Sequence, residues 1–260
     1  MSQNHQPAEK QAVKVVKQPV NAWRRTISRA GAIVGKPWRR YRASLFQTYL
    51  VGAVIIFLVL AFAAKTVAYF TFDVTITQEV QEIQMGWFAA LMHILSWIGF
   101  SPQGLIISVL IFLFLWVSGL KWETIVSAVS LIGSTLLGLG LKLLVQRPRP
   151  AADLVNVFAQ LKDTSFPSGH VLFFTTFFGF MLFLAYTLPK PSWWRTLLLI
   201  ILGAMVALIG ISRIYEGQHW ASDVLAAYLL GTIWLSGAIL IYRWGKPRYF
   251  ANQPVAKEAS

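Results

Sequence analysis

One short stretch carries four residues that apolar membrane segments normally exclude. Between two long apolar runs, residues 212–223 read Ser-Arg-Ile-Tyr-Glu-Gly-Gln-His-Trp-Ala-Ser-Asp. His219 and Asp223 are four residues apart, so on a helix they share one face. A carboxylate there can fix the tautomer of the imidazole and leave its other nitrogen free to react. The alternative is an arginine anchor beside a purely structural His–Asp pair.

Two further clusters interrupt the apolar pattern. The first closes the third apolar run and contains Lys142, Arg147 and Arg149, with Pro148 and Pro150 ending the helix. The second opens the fourth run and reads Ser-Phe-Pro-Ser-Gly-His over 165–170. In a six-span topology all three clusters fall at the same membrane face, so one mouth of a helical bundle can gather them.

The gathered side chains suit the chemistry of a phosphate. Basic side chains supply positive charge, and the arginine fork matches phosphoryl oxygens. A Ser-Gly-His helix start offers free backbone N–H groups and permits close approach of an anion. Two imidazoles allow one to attack and the other to protonate the leaving oxygen. The candidate residues are Lys142, Arg149, Ser168, Gly169, His170, Arg213, His219 and Asp223.

Each candidate has a structural alternative. Lys142 suits a snorkelling anchor, Arg149 a lipid headgroup contact, and Ser168 an ordinary N-cap. Singly these alternatives are as good as a functional role, but all three clusters together favour function. A structural or supporting role is predicted for the remaining polar and aromatic residues near the clusters, namely His93, Arg147, Tyr215, Glu216 and Trp220.

Composition restricts the class of protein. The 260 residues are 56% hydrophobic with a mean hydropathy of +0.58, which excludes a single soluble domain. There is no cysteine, which excludes disulfides, thiolate metal sites and cysteine nucleophiles. The net charge is +13, but ten of the 23 basic residues precede position 43. This distribution predicts a lipid-facing cytoplasmic tail rather than a nucleic-acid surface.

Hydrophobic periodicity predicts an all-α integral membrane protein. Six apolar runs predict six transmembrane helices, at 45–64, 103–120, 124–144, 171–188, 196–211 and 224–242. Between the first two runs, residues 71–102 carry apolar side chains at helical spacing, which predicts an amphipathic helix in the outer interface. This stripe consists of Val80, Ile83, Trp87, Leu91, Ile94 and Ile98. Gly133, Gly138 and Gly140 in the third run predict close helix packing.

The charge distribution predicts the orientation. Six spans place both termini on one side, which then holds 17 of the 23 basic residues and is predicted to be cytoplasmic. The three clusters are therefore predicted to be extracytoplasmic. The predicted organisation is a basic cytoplasmic tail over 1–44, a six-helix domain over 45–243 and a cytoplasmic tail over 244–260. The N-terminal tail either sets orientation alone or includes a surface-lying amphipathic piece between Trp23 and Arg42.

These motifs resemble the type 2 phosphatidic acid phosphatase family, relatives of bacterial acid phosphatases and vanadium haloperoxidases. The family signature is Lys-x6-Arg-Pro, then Pro-Ser-Gly-His, then Ser-Arg-x5-His-x3-Asp. The chain matches every spacing, with Lys142, Arg149 and Pro150, then residues 167–170, then 212–223. Val171, where a small alanine is usual, is a minor departure. The resemblance covers residues 142–223 by motif.

The resemblance implies a role for each matched residue. His219 is the expected nucleophile, with a phosphohistidine intermediate, and Asp223 the residue that orients it. His170 is the expected general acid and then the base that activates water. The implied phosphate-binding set is Lys142, Arg149, Ser168, Gly169 and Arg213.

The expected function is therefore that of an integral membrane lipid phosphatase in the plasma membrane. Its implied substrates are undecaprenyl pyrophosphate, phosphatidylglycerol phosphate or phosphatidate, and neither a cofactor nor an obligate protein partner is implied. No metal is implied either, since the carboxylates of the outer face lack ligand-like spacing. The alternatives are a lipid phosphotransferase with the same nucleophile and a non-enzymatic transporter or anion-binding protein.

Overall fold

The computed structural model describes residues 41–250, which form an all-helical protein with no strand in that range. The chain divides at Gly52 into two units, and the clusters analysed below all lie in the unit from Ala53 onward. In chain order the helices are α1 (Tyr41–Thr66), α2 (Thr71–Gln81), α3 (Gly86–Gly99), α4 (Gln103–Val117), α5 (Lys121–Val145), α6 (Gly169–Thr187), α7 (Trp193–Tyr215) and α8 (Ala221–Tyr249). The predictions for residues 1–40 and 251–260 lie outside the described residues.

Five of these helices are long and apolar enough to cross a membrane: α1, α5, α6, α7 and α8. The predicted second span is α4, whose 15 residues cover only about 22 Å at 1.5 Å per residue. Helices α3 and α4 pass the same test together, bent by 67° at the break between them. The multi-span prediction is therefore confirmed, with five spans, or six if the bent pair counts as one.

The single interfacial helix predicted over 71–102 is instead two helices, interrupted between α2 and α3. None of the six stripe residues is buried in the protein, and Trp87 and Ile94 are exposed, whereas Met92 and Ser96, which lie off the stripe, are buried. Helix α3 packs against α7, and that contact determines which of its side chains are buried. Periodicity located the helical segment but not the face that packs.

Helix α6 is the central helix of the bundle. In its apolar window 67% of the residues are buried, against 11–33% in the other spans. It packs against α5, α7 and α8, and the five residues Phe174–Phe178 take a π-helical turn among phenylalanine rings in stacked and edge-to-face contact. Such turns are uncommon and often lie next to functional sites. The first turn of this central helix carries the predicted Ser-Gly-His motif.

Close packing of α5 is confirmed at two of its three predicted glycines. A Cβ at Gly133 would lie 2.6 Å from the Trp234 ring of α8, and one at Gly138 would lie 3.0 Å from Leu172 of α6. Gly140 faces open space, so the packing prediction is wrong there. Small residues allow helices to approach closely only where another helix faces them.

The last helix extends beyond the predicted boundary at residue 243, through Pro247 to Tyr249. Its final turns remain packed because Lys246 forms a buried 2.8 Å ion pair with Glu123 at the start of α5. Tyr242 also donates to Glu123 at 2.8 Å. Gly245 lies against the Trp122 ring, and a Cβ built on Gly245 would be 2.2 Å from that ring. A buried ion pair between distant residues has no signature in hydropathy.

Candidate active site

The three sequence clusters meet where α5 ends, α6 begins, and α7 turns into α8. Helix α5 stops at Val145 because Gln146 takes a left-handed conformation (φ 55°), and the prolines that follow prevent the helix from resuming. This turn directs Arg149 back toward the segment between α7 and α8. The structure thereby brings the predicted basic and imidazole side chains together.

Lys142 and Arg149 share one carboxylate. Asp163 accepts from Arg149 Nη2 at 2.5 Å and forms an ion pair with Lys142 Nζ at 3.0 Å. Burial opposes ionisation of Asp163, but the hydrogen bonds and charges of the two basic groups outweigh it and lower its pKa. The Lys142 ammonium also donates to the Thr164 carbonyl, and its side chain is only 14% exposed. Lys142 is therefore not a lipid-facing anchor.

His219 is buried beside Arg149. Its Nε2 lies 3.3 Å from Arg149 Nη1, which also donates to the Gln218 carbonyl at 2.6 Å. Because a guanidinium can only donate, Nε2 of a neutral His219 accepts and its Nδ1 carries the proton. Burial, followed by the charges of Arg149 and Arg213, holds the pKa of His219 well below its usual range. His219 is therefore a neutral imidazole whose Nε2 electron pair faces Arg149.

Asp223 faces the other nitrogen of His219 without a direct hydrogen bond. Its Oδ2 lies 3.9 Å from His219 Nδ1, which is beyond hydrogen-bond distance. The carboxylate instead accepts from Arg147 at 2.5 Å, from the Trp220 backbone at 3.0 Å and from the Ser165 hydroxyl. The helical spacing thus places the two groups on one face, as predicted, but at ion-pair rather than hydrogen-bond distance.

His170 lies under the end of α3. Its Nε2 is 3.2 Å from the Ser96 carbonyl, and the Phe100 ring lies against it at 4.6 Å between centroids. A carbonyl can only accept, so in this arrangement Nε2 carries the proton. A Cβ on Gly99 would lie 2.2 Å from the His170 ring, so only glycine allows α3 to approach this closely.

Ser168 and Gly169 leave the start of α6 unoccupied by protein groups. Ser168 is the N-cap residue of α6, but its buried hydroxyl caps nothing and has no partner among the described residues. The space above Gly169 holds no atom within 4 Å of a built Cβ. Unpaired N–H groups at a helix start attract anions. The N-cap alternative for Ser168 is therefore not supported.

Arg213 is completely buried in a polar network with α3. It donates to Glu216 at 3.1 Å, to the Ser96 hydroxyl and to the Gln218 side chain, and Phe100 lies 5.2 Å below its guanidinium carbon. Its Nε has no partner among the described residues. This leaves one buried donor of Arg213 available to a ligand.

Comparison with known proteins now adds to this geometry. The family model described as the PAP2 superfamily matches residues 123–248, which include all three motifs. The chain is 30% identical over 185 residues to phosphatidylglycerophosphatase B of Bacillus subtilis (strain 168), an alignment covering 70% of this chain and 89% of that protein. The chain belongs to the PAP2 superfamily.

Two further comparisons agree with this membership. A 75-residue stretch is 44% identical to an undecaprenyl-diphosphatase of Sulfolobus acidocaldarius, covering 28% of this chain and 31% of that protein. The crystal structure of a transmembrane PAP2-type phosphatidylglycerolphosphate phosphatase from Bacillus subtilis superposes with a TM-score of 0.66 at 27% identity. That match covers 77% of this chain and 98% of the other. This PAP2 chain is therefore a multi-pass helical membrane protein.

The structure adds residues to the site that the PAP2 motifs do not contain. Ser96 and His93 of α3 both hydrogen-bond Glu216, at 2.6 and 2.9 Å, and Glu216 in turn binds Arg213. Asp163 forms ion pairs with the two cations of the first motif, Lys142 and Arg149. Sequence reasoning missed Ser96 because a single serine in an apolar helix gives no signal. The three-residue spacing of His93, Ser96 and Gly99 is the one signal that places them on the same helix face.

An apolar cavity adjoins this PAP2 site. A volume of about 430 Å³ lies between α4, α5 and the start of α6, lined by Leu105, Leu131, Ile132, Leu136, Phe173 and Gly169, among others. A smaller cavity of about 90 Å³ shares Gly169 and Phe173 with it and reaches Lys142. A larger cleft of about 470 Å³, between α2 and residues 152–156, is lined by no basic or imidazole side chain. The apolar cavity therefore adjoins the basic cluster through the smaller cavity, which contacts Lys142.

Proposed function

We propose that this PAP2 chain is a membrane lipid phosphatase that hydrolyses a lipid phosphomonoester or terminal pyrophosphate through a phosphohistidine at His219. The observation that carries the proposal is the complementary state of the two histidines. Nε2 of His219 holds an electron pair facing Arg149, whereas Nε2 of His170 holds a proton facing a carbonyl. Phosphoryl transfer by this route requires a nucleophilic nitrogen and a second imidazole that can give and take a proton, beside basic side chains that hold the phosphate.

The proposed reaction has two steps. In the first, Nε2 of His219 bonds to phosphorus and the P–O bond to the leaving group breaks. The leaving oxygen takes a proton from the imidazolium form of His170, which the bound phosphate anion stabilises, and His170 becomes neutral. The phosphorylated ring is cationic, and Asp223 stabilises it from the Nδ1 side. In the second, His170 takes a proton from water, the hydroxide oxygen bonds to phosphorus, and the P–N electron pair returns to His219. Throughout, Lys142, Arg149 and Arg213 hold the phosphoryl oxygens with Ser168 and Gly169.

The apolar cavity supports a lipid substrate. A chain lying between α4 and α5 would place its phosphate at Gly169, beside Lys142. The names of the relatives support phosphatidylglycerol phosphate and undecaprenyl pyrophosphate as the first substrates to test, with phosphatidate as the third. We further propose that both termini are cytoplasmic and that the site opens on the outer face of the plasma membrane, in line with the basic residue distribution.

The decisive experiment is phosphate release by the purified protein in detergent with a chelator present. We expect turnover of at least one of the three lipids without added divalent cations, because Lys142, Arg149 and Arg213 supply the charge that a metal would provide. Activity lost on chelation and restored by a divalent metal would contradict the metal-free mechanism. The ranking of kcat/KM identifies the preferred lipid.

The same assay separates the alternative functions. A phosphotransferase releases phosphate slowly and forms a new phosphorylated lipid when an alcohol acceptor is added. A non-enzymatic binding protein or transporter shows no turnover, and its lipid binding survives substitution of His219. Turnover in wild type that is independent of acceptor and absent without His219 supports the hydrolase.

Asp163 offers a second test, because its carboxylate forms ion pairs with Lys142 and Arg149, which are proposed to bind the substrate phosphate. In Asp163→Asn the competing charge is removed, so inorganic phosphate should inhibit more strongly. We expect its Ki to fall about three- to tenfold, the equivalent of one or two partly exposed ion pairs. The control is Asp153→Asn, the same charge change at an exposed loop position. An unchanged or higher Ki would mean that Asp163 supports anion binding rather than competing with it.

A further inference from the structure

A chain of buried charges runs behind the proposed nucleophile. Arg147 donates to Asp73 of α2 at 2.8 Å and to Asp223 of α8 at 2.5 Å. Its Nε also donates to the Ala68 carbonyl at 3.0 Å, and its Nη1 also donates to the Ser222 hydroxyl at 2.7 Å. The side chains of Asp73, Arg147 and Asp223 are all 0% exposed. Arg147 therefore has every arm of its fork engaged inside the protein.

We infer that Arg147 and Asp73 are positioning residues that act on catalysis through Asp223. Arg147 binds Oδ1 of Asp223, while the Ser165 hydroxyl and the Trp220 backbone bind Oδ2. These bonds fix the carboxylate plane, so that Oδ2 faces His219 Nδ1 at 3.9 Å. This inference rests on the proposed function and extends it to two residues that the PAP2 signature does not specify.

Charge balance explains why this buried cluster contains two carboxylates, Asp73 and Asp223, and one arginine, Arg147. A buried carboxylate without compensation is costly, and removing one partner of such a pair leaves the other unpaired. Arg147 compensates one of the two negative charges and leaves the cluster with one. The phosphorylated His219 ring carries one positive charge. The cluster is therefore electrically matched to the intermediate and not to the resting imidazole.

Asp73 connects the buried charge cluster to the starts of helices α2 and α8. Its carboxylate accepts from the Phe70 backbone at 3.1 Å and so caps α2. It also accepts from the Ser222 backbone at 2.8 Å and the Ser222 hydroxyl at 2.9 Å, at the start of α8. Helix α2 thereby holds Nη2 of the guanidinium, whose Nη1 binds Asp223. A displaced Arg147 would release the carboxylate that faces the nucleophile.

The test is a double-mutant cycle between Arg147→Lys and Asp223→Asn. Lysine keeps the charge but cannot bind both carboxylates in a fork. We expect Arg147→Lys alone to lower kcat about 10- to 100-fold with KM nearly unchanged, as for a small misplacement of a reacting group. In the Asp223→Asn background the same change should cost less than about threefold, because residues that act as one unit are not additive.

A purely structural arginine gives a different result. Its loss would lower the folded fraction, and the kcat effects of the two substitutions would multiply; that outcome overturns the inference. If Arg147→Lys does not fold, the cycle is run with Asp73→Asn, which keeps the shape of the side chain. Arg195→Lys is the matched control, because Arg195 donates to backbone carbonyls away from the site. Wild type without turnover on any lipid would instead refute the proposed function.

Discussion

The His219→Ala variant is expected to lose hydrolysis by at least about 10⁴-fold while still binding phosphate, because removal of a covalent nucleophile eliminates the reaction path itself. Lys142, Arg213 and the start of α6 remain in place, so the Ki of inorganic phosphate should change much less than kcat. The measurement is steady-state release from the preferred lipid, together with competition by inorganic phosphate.

His93→Ala is the matched control for that experiment. The side chain of His93 is 44% exposed, and within residues 41–250 its ion pair is with Glu216. Loss of one partly exposed pair should change turnover by less than about tenfold. Turnover of His219→Ala within tenfold of wild type would contradict the nucleophile assignment, and a greater loss in His93→Ala than in His219→Ala would reverse the two assignments.

The His170→Ala variant should lose about 10²- to 10⁴-fold in turnover of lipid substrates, the usual contribution of a general acid and base. The loss in the first step depends on the leaving group. An aryl phosphate with an acidic phenol needs no proton on departure, so it should still phosphorylate His219. Hydrolysis of the phosphoenzyme remains slow, because no base activates the water.

The measurement for His170→Ala is therefore trapping of labelled phosphohistidine. With the aryl phosphate we expect acid-labile label to accumulate on His170→Ala and not on wild type or on the His170→Ala/His219→Ala double variant. Equal losses for lipid and aryl substrates, with no trapped intermediate, would show that His170 does not protonate the leaving group.

Most of the membrane-spanning helices could be predicted from hydropathy. Runs of apolar residues predicted α1 and α5 to α8, since a bilayer requires about 20 apolar residues per span. The observed helices are longer at their ends, as at Tyr249, because polar residues continue a helix once it leaves the apolar layer. The break between α2 and α3 and the bend between α3 and α4 were not predicted. Neither depends on periodicity within a single helix.

The spacing of the motifs also predicted which residues lie together at the candidate site. Lys142, Arg149, His170, Arg213 and His219 lie in three short motifs at ends of predicted spans, and chain topology alone brings such ends together. Their chemistry could be anticipated because imidazole pairs and guanidinium forks serve few purposes at a membrane surface. The predicted roles of these residues remain predictions that the experiments above test.

Contacts between distant elements were decided by tertiary structure alone. The sequence places Asp223 one helical turn from His219, but not the 3.9 Å gap, which Arg147 and Ser165 determine by binding the carboxylate. The sequence gives no sign that Asp163 forms ion pairs with Lys142 and Arg149. Such pairings depend on where loops and helices from other parts of the chain come to rest, and local patterns carry no information about partners 58 or 76 residues away. Sequence spacing thus determined which groups gather, and packing of α2 and α3 against α7 and α8 determined which atoms face one another.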